Sequence, residues 1–149
     1  MTTKTSESAQ AHQQWQSPPQ GSPCWIEIPA RDTERLKKFY ATVFPSWEWR
    51  RASEEASESV HHYRFADQKG LGGGIVKMPE ACGAPVEQAM GSGMTVYYMV
   101  DSLNIIEKII HDNGGSTCLG KTDESSFGWF MNFRDPEGNR FGCYQIQEQ

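Results

Sequence analysis

The sequence predicts an α+β fold built from two βαβββ modules. Three observations predict it. Each half of the chain carries one amphipathic helical stretch preceded by a short apolar strand. An aspartate placed to cap each helix, Asp32 and then Asp101, recurs after 69 residues. Each helix is followed by three further stretches of strand character.

The first strand is Cys24-Trp25-Ile26-Glu27-Ile28, broken at Pro29. Asp32 offers a side-chain acceptor to the first-turn amides of the helix that follows. Within that helix Leu36, Phe39, Tyr40, Val43 and Phe44 fall at i, i+3, i+4, i+7 and i+8, a single apolar stripe. Pro45 ends it. Trp47 and Trp49 alternate with polar neighbours as a short strand, and 54–58 is a polar connection. Val60 to Ala66 reads as a strand, Asp67-Gln68-Lys69-Gly70 as a turn, and Leu71 to Met78 as the next strand. Proline and glycine breaks make 79–93 a linker.

The second half repeats this order. Thr95 to Val100 is a strand, and Asp101 takes the place of Asp32. Ile105, Ile106, Ile109 and Ile110 form the second stripe. Asn113-Gly114-Gly115 supplies a residue tolerant of positive φ just past the last turn. Ser116 to Gly120, Phe127 to Phe133 and Arg140 to Ile146 complete the module, although side-chain identity between the halves is poor.

With 149 residues the chain can bury a core without metal or disulfides. The formal charge of -5 and the lack of any basic run exclude a nucleic-acid backbone as partner. Four widely spaced cysteines, Cys24, Cys82, Cys118 and Cys143, form no CxxC pair and read as buried or half-buried thiols in a reducing compartment. No apolar run approaches membrane-spanning length, so no membrane partner and a cytoplasmic location are expected. Residues 1–22 are mostly Thr, Ser, Gln and Glu, a composition that cannot offset its own ordering entropy. They are expected to be a disordered tail before a single domain at 23–149, with modules at about 24–78 and 94–146.

Two segments carry a more specific likeness. Ile28-Pro29-Ala30-Arg31-Asp32 through Lys38-Phe39-Tyr40-Ala41-Thr42-Val43-Phe44 runs a strand into an aspartate-capped helix ending in Phe-Tyr and an aliphatic-Phe pair. Phe133-Arg134-Asp135-Pro136-Glu137-Gly138-Asn139-Arg140-Phe141 supplies an Asp-Pro-Glu-Gly-Asn turn before the last strand. In this order the two resemble the glyoxalase/bleomycin-resistance/extradiol dioxygenase (vicinal oxygen chelate) superfamily. Gly70 to Pro79 resembles its lactoylglutathione-lyase-related branch. The turn stands on its own chemistry as well: Pro136 fixes φ, Gly138 and Asn139 tolerate the left-handed region, and Asp135 and Glu137 read as turn residues.

The resemblance implies that the two modules form one curled mixed sheet around a cup. It also implies a divalent metal held by four His, Glu or Gln side chains. Carried over by position, those ligands fall on Trp25, Thr95 and Gly142, with the fourth near Arg64 and His62 two residues away. Trp, Thr, Gly and Arg hold no such ion, so no metal and no cofactor are expected. Strand parity then lines the cup with Trp25, Glu27, His62, Arg64, Thr95, Tyr97 and Tyr144, turning Ile26 and Ile28 to the helix. This wall suits a small planar or aromatic molecule with an acidic or hydrogen-bonding group; the equal alternative is that Trp25, Tyr97 and Tyr144 fill a packed cup that binds nothing.

Glu27 with His62 is the candidate acid/base pair, against the alternative of a Glu27–Arg64 ion pair. His61 and His62 face opposite sides of a strand, so only one can enter the cup. Three functions remain open: a metal-independent small-molecule binder, a divalent-metal-dependent lyase, dioxygenase or isomerase with a displaced ligand set, and an interaction protein with a vestigial cup. A homodimer is expected through Trp47, Trp49, Phe127 and Trp129.

Overall fold

The computed structural model describes residues 19–20, 23–51, 59–81 and 94–147. Most of the expected tail, with His12 and Trp15, and most of the inter-module linker, with Cys82, lie outside these residues.

In the first half, β1 (Ile26–Ala30) leads into α1 (Thr33–Val43), then β2 (Glu48–Trp49), β3 (Val60–Arg64) and β4 (Gly73–Lys77). In the second, β5 (Tyr97–Met99) leads into α2 (Leu103–Asp112), then β6 (Ser116–Asp123), β7 (Gly128–Arg134) and β8 (Arg140–Ile146). The predicted βαβββ order is therefore present in both halves. Asp32 caps α1 by accepting from the Arg35 amide at 3.0 Å. In the second half the cap is Ser102, which accepts from Ile105 N, and not Asp101. The α1 stripe is buried in full, from Leu36 to Phe44. The α2 stripe is rotated from the expected one: Leu103, Ile106 and Ile110 are buried while Ile105 is 64% exposed. Gly114, at φ 91, ends α2 as expected, with Gly115 N donating back to Ile110 O at 2.9 Å.

The expected single curled sheet around a cup is not formed. The strands make two separate, open, four-stranded mixed sheets, ordered β1-β4-β3-β2 and β5-β8-β7-β6, neither closed nor strongly curled. Parallel pairing joins β1 to β4 and β5 to β8, and the other pairs are antiparallel. Ladders are short where curl would have to accumulate, with two residues in β2 and three in β5. The halves are joined by side chains and a hairpin instead.

The joint core is largely aromatic. Trp47 stacks on Tyr63 with ring centroids 3.8 Å apart and lies 5.1 Å from Tyr40. Phe44 reaches Tyr98 at 4.8 Å, and Tyr40 reaches Phe141 at 5.8 Å, so rings of both halves interdigitate. Trp47, expected at a dimer contact, is thus an internal residue, 5% exposed.

The Asp-Pro-Glu-Gly-Asn turn is more than a turn. Asp135 Oδ1 accepts from the Glu137 and Asn139 amides, each at 2.9 Å, while Oδ2 accepts from Tyr40 Oη and Asn139 Nδ2, both also at 2.9 Å. Burial pushes the Asp135 carboxyl up to about 6 although these donors pull it down. Burial and the neighbouring carboxylate hold the Tyr40 phenol well above its ordinary value, so Tyr40 remains the donor. Glu137 reaches across to the other half, accepting from Arg31 N and Asp32 N at 3.1 Å and from Arg35 at 2.9 Å. These donors hold its carboxyl below the ordinary range against the opposing effect of desolvation. Asn139 donates to Pro29 O at 2.8 Å. Gly138 takes positive φ as expected; Asn139 does not, and acts through its amide side chain instead.

Candidate functional site

In each sheet one face packs on the helix and the other is open. Along β1, Ile28 and Ala30 are buried and Ile26 half-buried, while Glu27 and Pro29 are exposed, which is the expected alternation. Trp25, just before the strand and 42% exposed, shares the open face. Along β3, His61 and Tyr63 are buried, with His62 and Arg64 on the open side. His61 turns to the helix, its Nε2 3.0 Å from Glu34.

Glycines shape both open faces. Glu27, Gly74 and His62 form one row across β1, β4 and β3. A Cβ on Gly74 would lie 2.8 Å from Trp25 Cζ2, so the indole rests directly on this glycine. From there it meets the His62 ring edge-on, with centroids 5.4 Å apart. The second sheet repeats the device. Tyr97, Gly142 and Asn132 form a row across β5, β8 and β7, and a Cβ on Gly142 would lie 2.3 Å from the Tyr97 ring. There Asn132 Nδ2 donates to Tyr97 Oη at 3.0 Å, and Arg140 Nη2 donates to Asn132 Oδ1 at 2.5 Å.

The expected site residues separate accordingly. Trp25, His62 and Arg64 line a depression of about 450 Å³ on the first sheet, shared with Trp49, Arg50 and Arg51. Tyr97 and Tyr144 line a different depression of about 480 Å³ on the second sheet. Glu27 and Thr95 border neither. Glu27 and His62 are not brought together: a whole strand separates them, about 9–10 Å of backbone at ordinary strand spacing, with the Trp25 indole lying over Gly74 between. Nor does Arg64 pair with Glu27. It faces Glu48 across β2 and β3, with Nε 3.6 Å from the carboxylate.

The residues that sequence reasoning missed at the first depression are Trp49, Arg50 and Arg51. They arrive because β2 pairs antiparallel with β3 and Arg50 N donates to His62 O at 2.9 Å. The alternation of Trp49 with Glu48 and Arg50 was visible in the sequence, but the partner strand was not.

The described residues do not fit a divalent metal. The Trp25 indole and Tyr97 ring cover the glycines of the two rows, Arg64 brings a positive charge, and Thr95 is a poor donor. Among the described residues no group of three His, Cys, Asp or Glu side chains converges to hold an ion.

No family model matches the sequence. A glyoxylase-like domain-containing protein of Didymella fabae is 30% identical over 118 residues, covering 76% of this chain and 85% of that protein. The chain belongs to this glyoxylase-like family. Solved structures agree on the fold. A glyoxalase/bleomycin-resistance/dioxygenase family enzyme of Burkholderia phytofirmans superposes with a TM-score of 0.63 at 14% identity, covering 83% of this chain and 97% of its own. A glyoxalase/bleomycin-resistance protein of Albidiferax ferrireducens gives 0.61 at 21% identity, covering 83% and 97%. A fosfomycin resistance protein of Listeria monocytogenes, complexed with Mn(II) and a dihydroxypropylphosphonic acid, gives 0.63 at 14%, covering 87% and 95%. This glyoxylase-like chain shares their fold without the residues for a metal at the family's positions.

Proposed function

We propose that this glyoxylase-like protein binds a small planar or aromatic molecule carrying an acidic or hydrogen-bonding group, without a divalent metal. The site is the depression on the first sheet. The observation that carries the reading is the Trp25 indole laid across Gly74 against His62, an apolar platform beside Arg50, Arg51 and Arg64. Such a surface supplies burial from rings and orientation from a few polar groups. Guanidinium groups match a carboxylate by bidentate hydrogen bonding. The expected Glu27–His62 pair is not formed, since β4 lies between them, and the carboxylate that does border the depression, Glu48, is paired with Arg64.

The test is calorimetric titration with planar aryl carboxylates and their amide analogues, with and without EDTA. Saturable binding that EDTA does not change supports the reading, and Trp25→Ala is expected to weaken it. Binding that appears only on adding Mn(II) or Zn(II) would refute it and restore the metal-dependent lyase, dioxygenase or isomerase.

The lactoylglutathione-lyase-related branch rests on Gly70 to Pro79 alone and stays a proposal. So does a homodimer, now supported by the exposed Phe127, Leu119 and Ile146; light scattering at one chain mass rejects it. A cytoplasmic setting is supported by the free thiols: Cys143 is buried as expected, while Cys24 and Cys118 are exposed where burial or half-burial was expected. Among the described residues no helix is long and apolar enough to cross a membrane.

A further inference from the structure

The depression on the second sheet has a different chemistry from that on the first. Met99, Tyr144, Phe130 and Thr122 form one row across β5, β8, β7 and β6. From the neighbouring row Tyr97 leans over Gly142 and stands at 82° to Phe130, with ring centroids 6.0 Å apart. Two nearly perpendicular rings make two walls of a box, and Tyr144 adds a third ring. Glu124, held in the β6–β7 hairpin by its backbone bonds to Gly128 and Phe127, supplies the only carboxylate among the residues described as lining the depression. The Glu124 carboxylate beside the Tyr144 phenol raises it above its ordinary value. The Tyr97 ring is fixed in place by its Asn132 partner.

The cations of this sheet are held by other partners. Lys121 lies over Trp129 at 4.9 Å from the ring centroid. Trp129 is next to Phe130 on β7 and so faces the opposite side of the sheet. Arg140 and Arg134 do share the open face, but Arg140 is bound to Asn132 Oδ1 and Arg134 donates to Gly138 O at 3.1 Å, in the row on the far side of Gly142 from Tyr144 and Phe130.

We propose that this depression is a second ligand site, independent of the first, for a small organic ammonium ion. Ring faces carry negative quadrupole density, and a cation within about 6 Å of several of them is attracted. Met99 adds a polarizable wall, and Glu124 provides the opposing charge. About 480 Å³ accommodates a trimethylammonium group with a short substituent.

The experiment titrates the full chain with choline and with its neutral isostere 3,3-dimethylbutan-1-ol, followed by calorimetry. Choline is expected to saturate, with the isostere at least ~10-fold weaker. Phe130→Leu should weaken choline by about 5-fold or more and Phe130→Tyr should retain it. Glu124→Gln, outside the core, should weaken it about 3-fold or more. Circular dichroism confirms that each variant is folded. Equal affinity for the isostere, unchanged affinity in folded Phe130→Leu, or no saturation overturns the proposal. So does a dimer that covers this face and binds no choline. Binding of aryl carboxylates at the first sheet is read separately and is unaffected by Phe130→Leu.

Discussion

Tyr40→Phe removes one oxygen and leaves the ring stack intact, so it isolates the bond that ties α1 to the hairpin of the other half. The lost partner is Asp135, 3% exposed, whose Oδ2 would keep Asn139 Nδ2 alone. A hydrogen bond to a buried charged acceptor contributes about 1.5–3 kcal/mol. For a chain of this size that lowers the melting midpoint by roughly 3–10 °C. Asp135 adds a pH signature. Its folded carboxyl is pushed up from 3.8 to about 6, so the folded state binds this proton more tightly than the unfolded one. The stability so contributed is fully present below pH about 3.8 and is lost as pH rises through about 6. Two units correspond to about 3 kcal/mol at most. Melting followed by circular dichroism from pH 4 to 7.5 should therefore show the wild-type advantage over Asp135→Asn shrinking as pH rises. A Tyr40→Phe midpoint within about 1 °C of wild type, or a wild-type minus Asp135→Asn difference that is flat with pH, refutes the clamp.

Other outcomes follow from the same contacts. Glu137→Ala frees the Arg31 and Asp32 amides and the Arg35 guanidinium together, and urea melts should show a loss of about 2–3 kcal/mol; a smaller loss than 0.5 kcal/mol would mean that water replaces the carboxylate without cost. Gly74→Ala forces the Trp25 ring off its seat, so tryptophan emission should shift and aryl carboxylate binding weaken while the fold persists; an unchanged emission spectrum in Gly74→Ala, with Trp25→Phe as reference, counts against the platform. A chain beginning at Ser22 should melt within about 8 °C of the full chain, and a larger fall shows that the tail is integral.

Local chemistry made most of the elements legible. The i, i+3, i+4 spacing of Leu36 to Val43 specified α1, Asp32 its start, and Gly114 the end of α2, because each depends on neighbours within a few residues. Parity along β1 and β3 was equally readable, since side chains alternate whatever the strand pairs with. The family was legible through two motifs that are local too. The sequence showed Ile105 and Ile106 as equals, whereas packing against the sheet chose Leu103, Ile106 and Ile110. It showed Trp47 as an edge aromatic, and the stacking on Tyr63 made it core. Above all, one cup became two open faces, because closure depends on which strand edges pair, a long-range matter that no residue pattern encodes. That choice parted Trp25, His62 and Arg64 from Tyr97 and Tyr144, brought Arg50 and Arg51 beside the first group through β2, and set Glu27 apart from His62. What the sequence determined was residue chemistry, element order and the direction each strand residue faces. Tertiary structure decided which of those faces share a space, since that depends on strand pairing and the Asp135–Glu137 clamp between halves far apart in the chain.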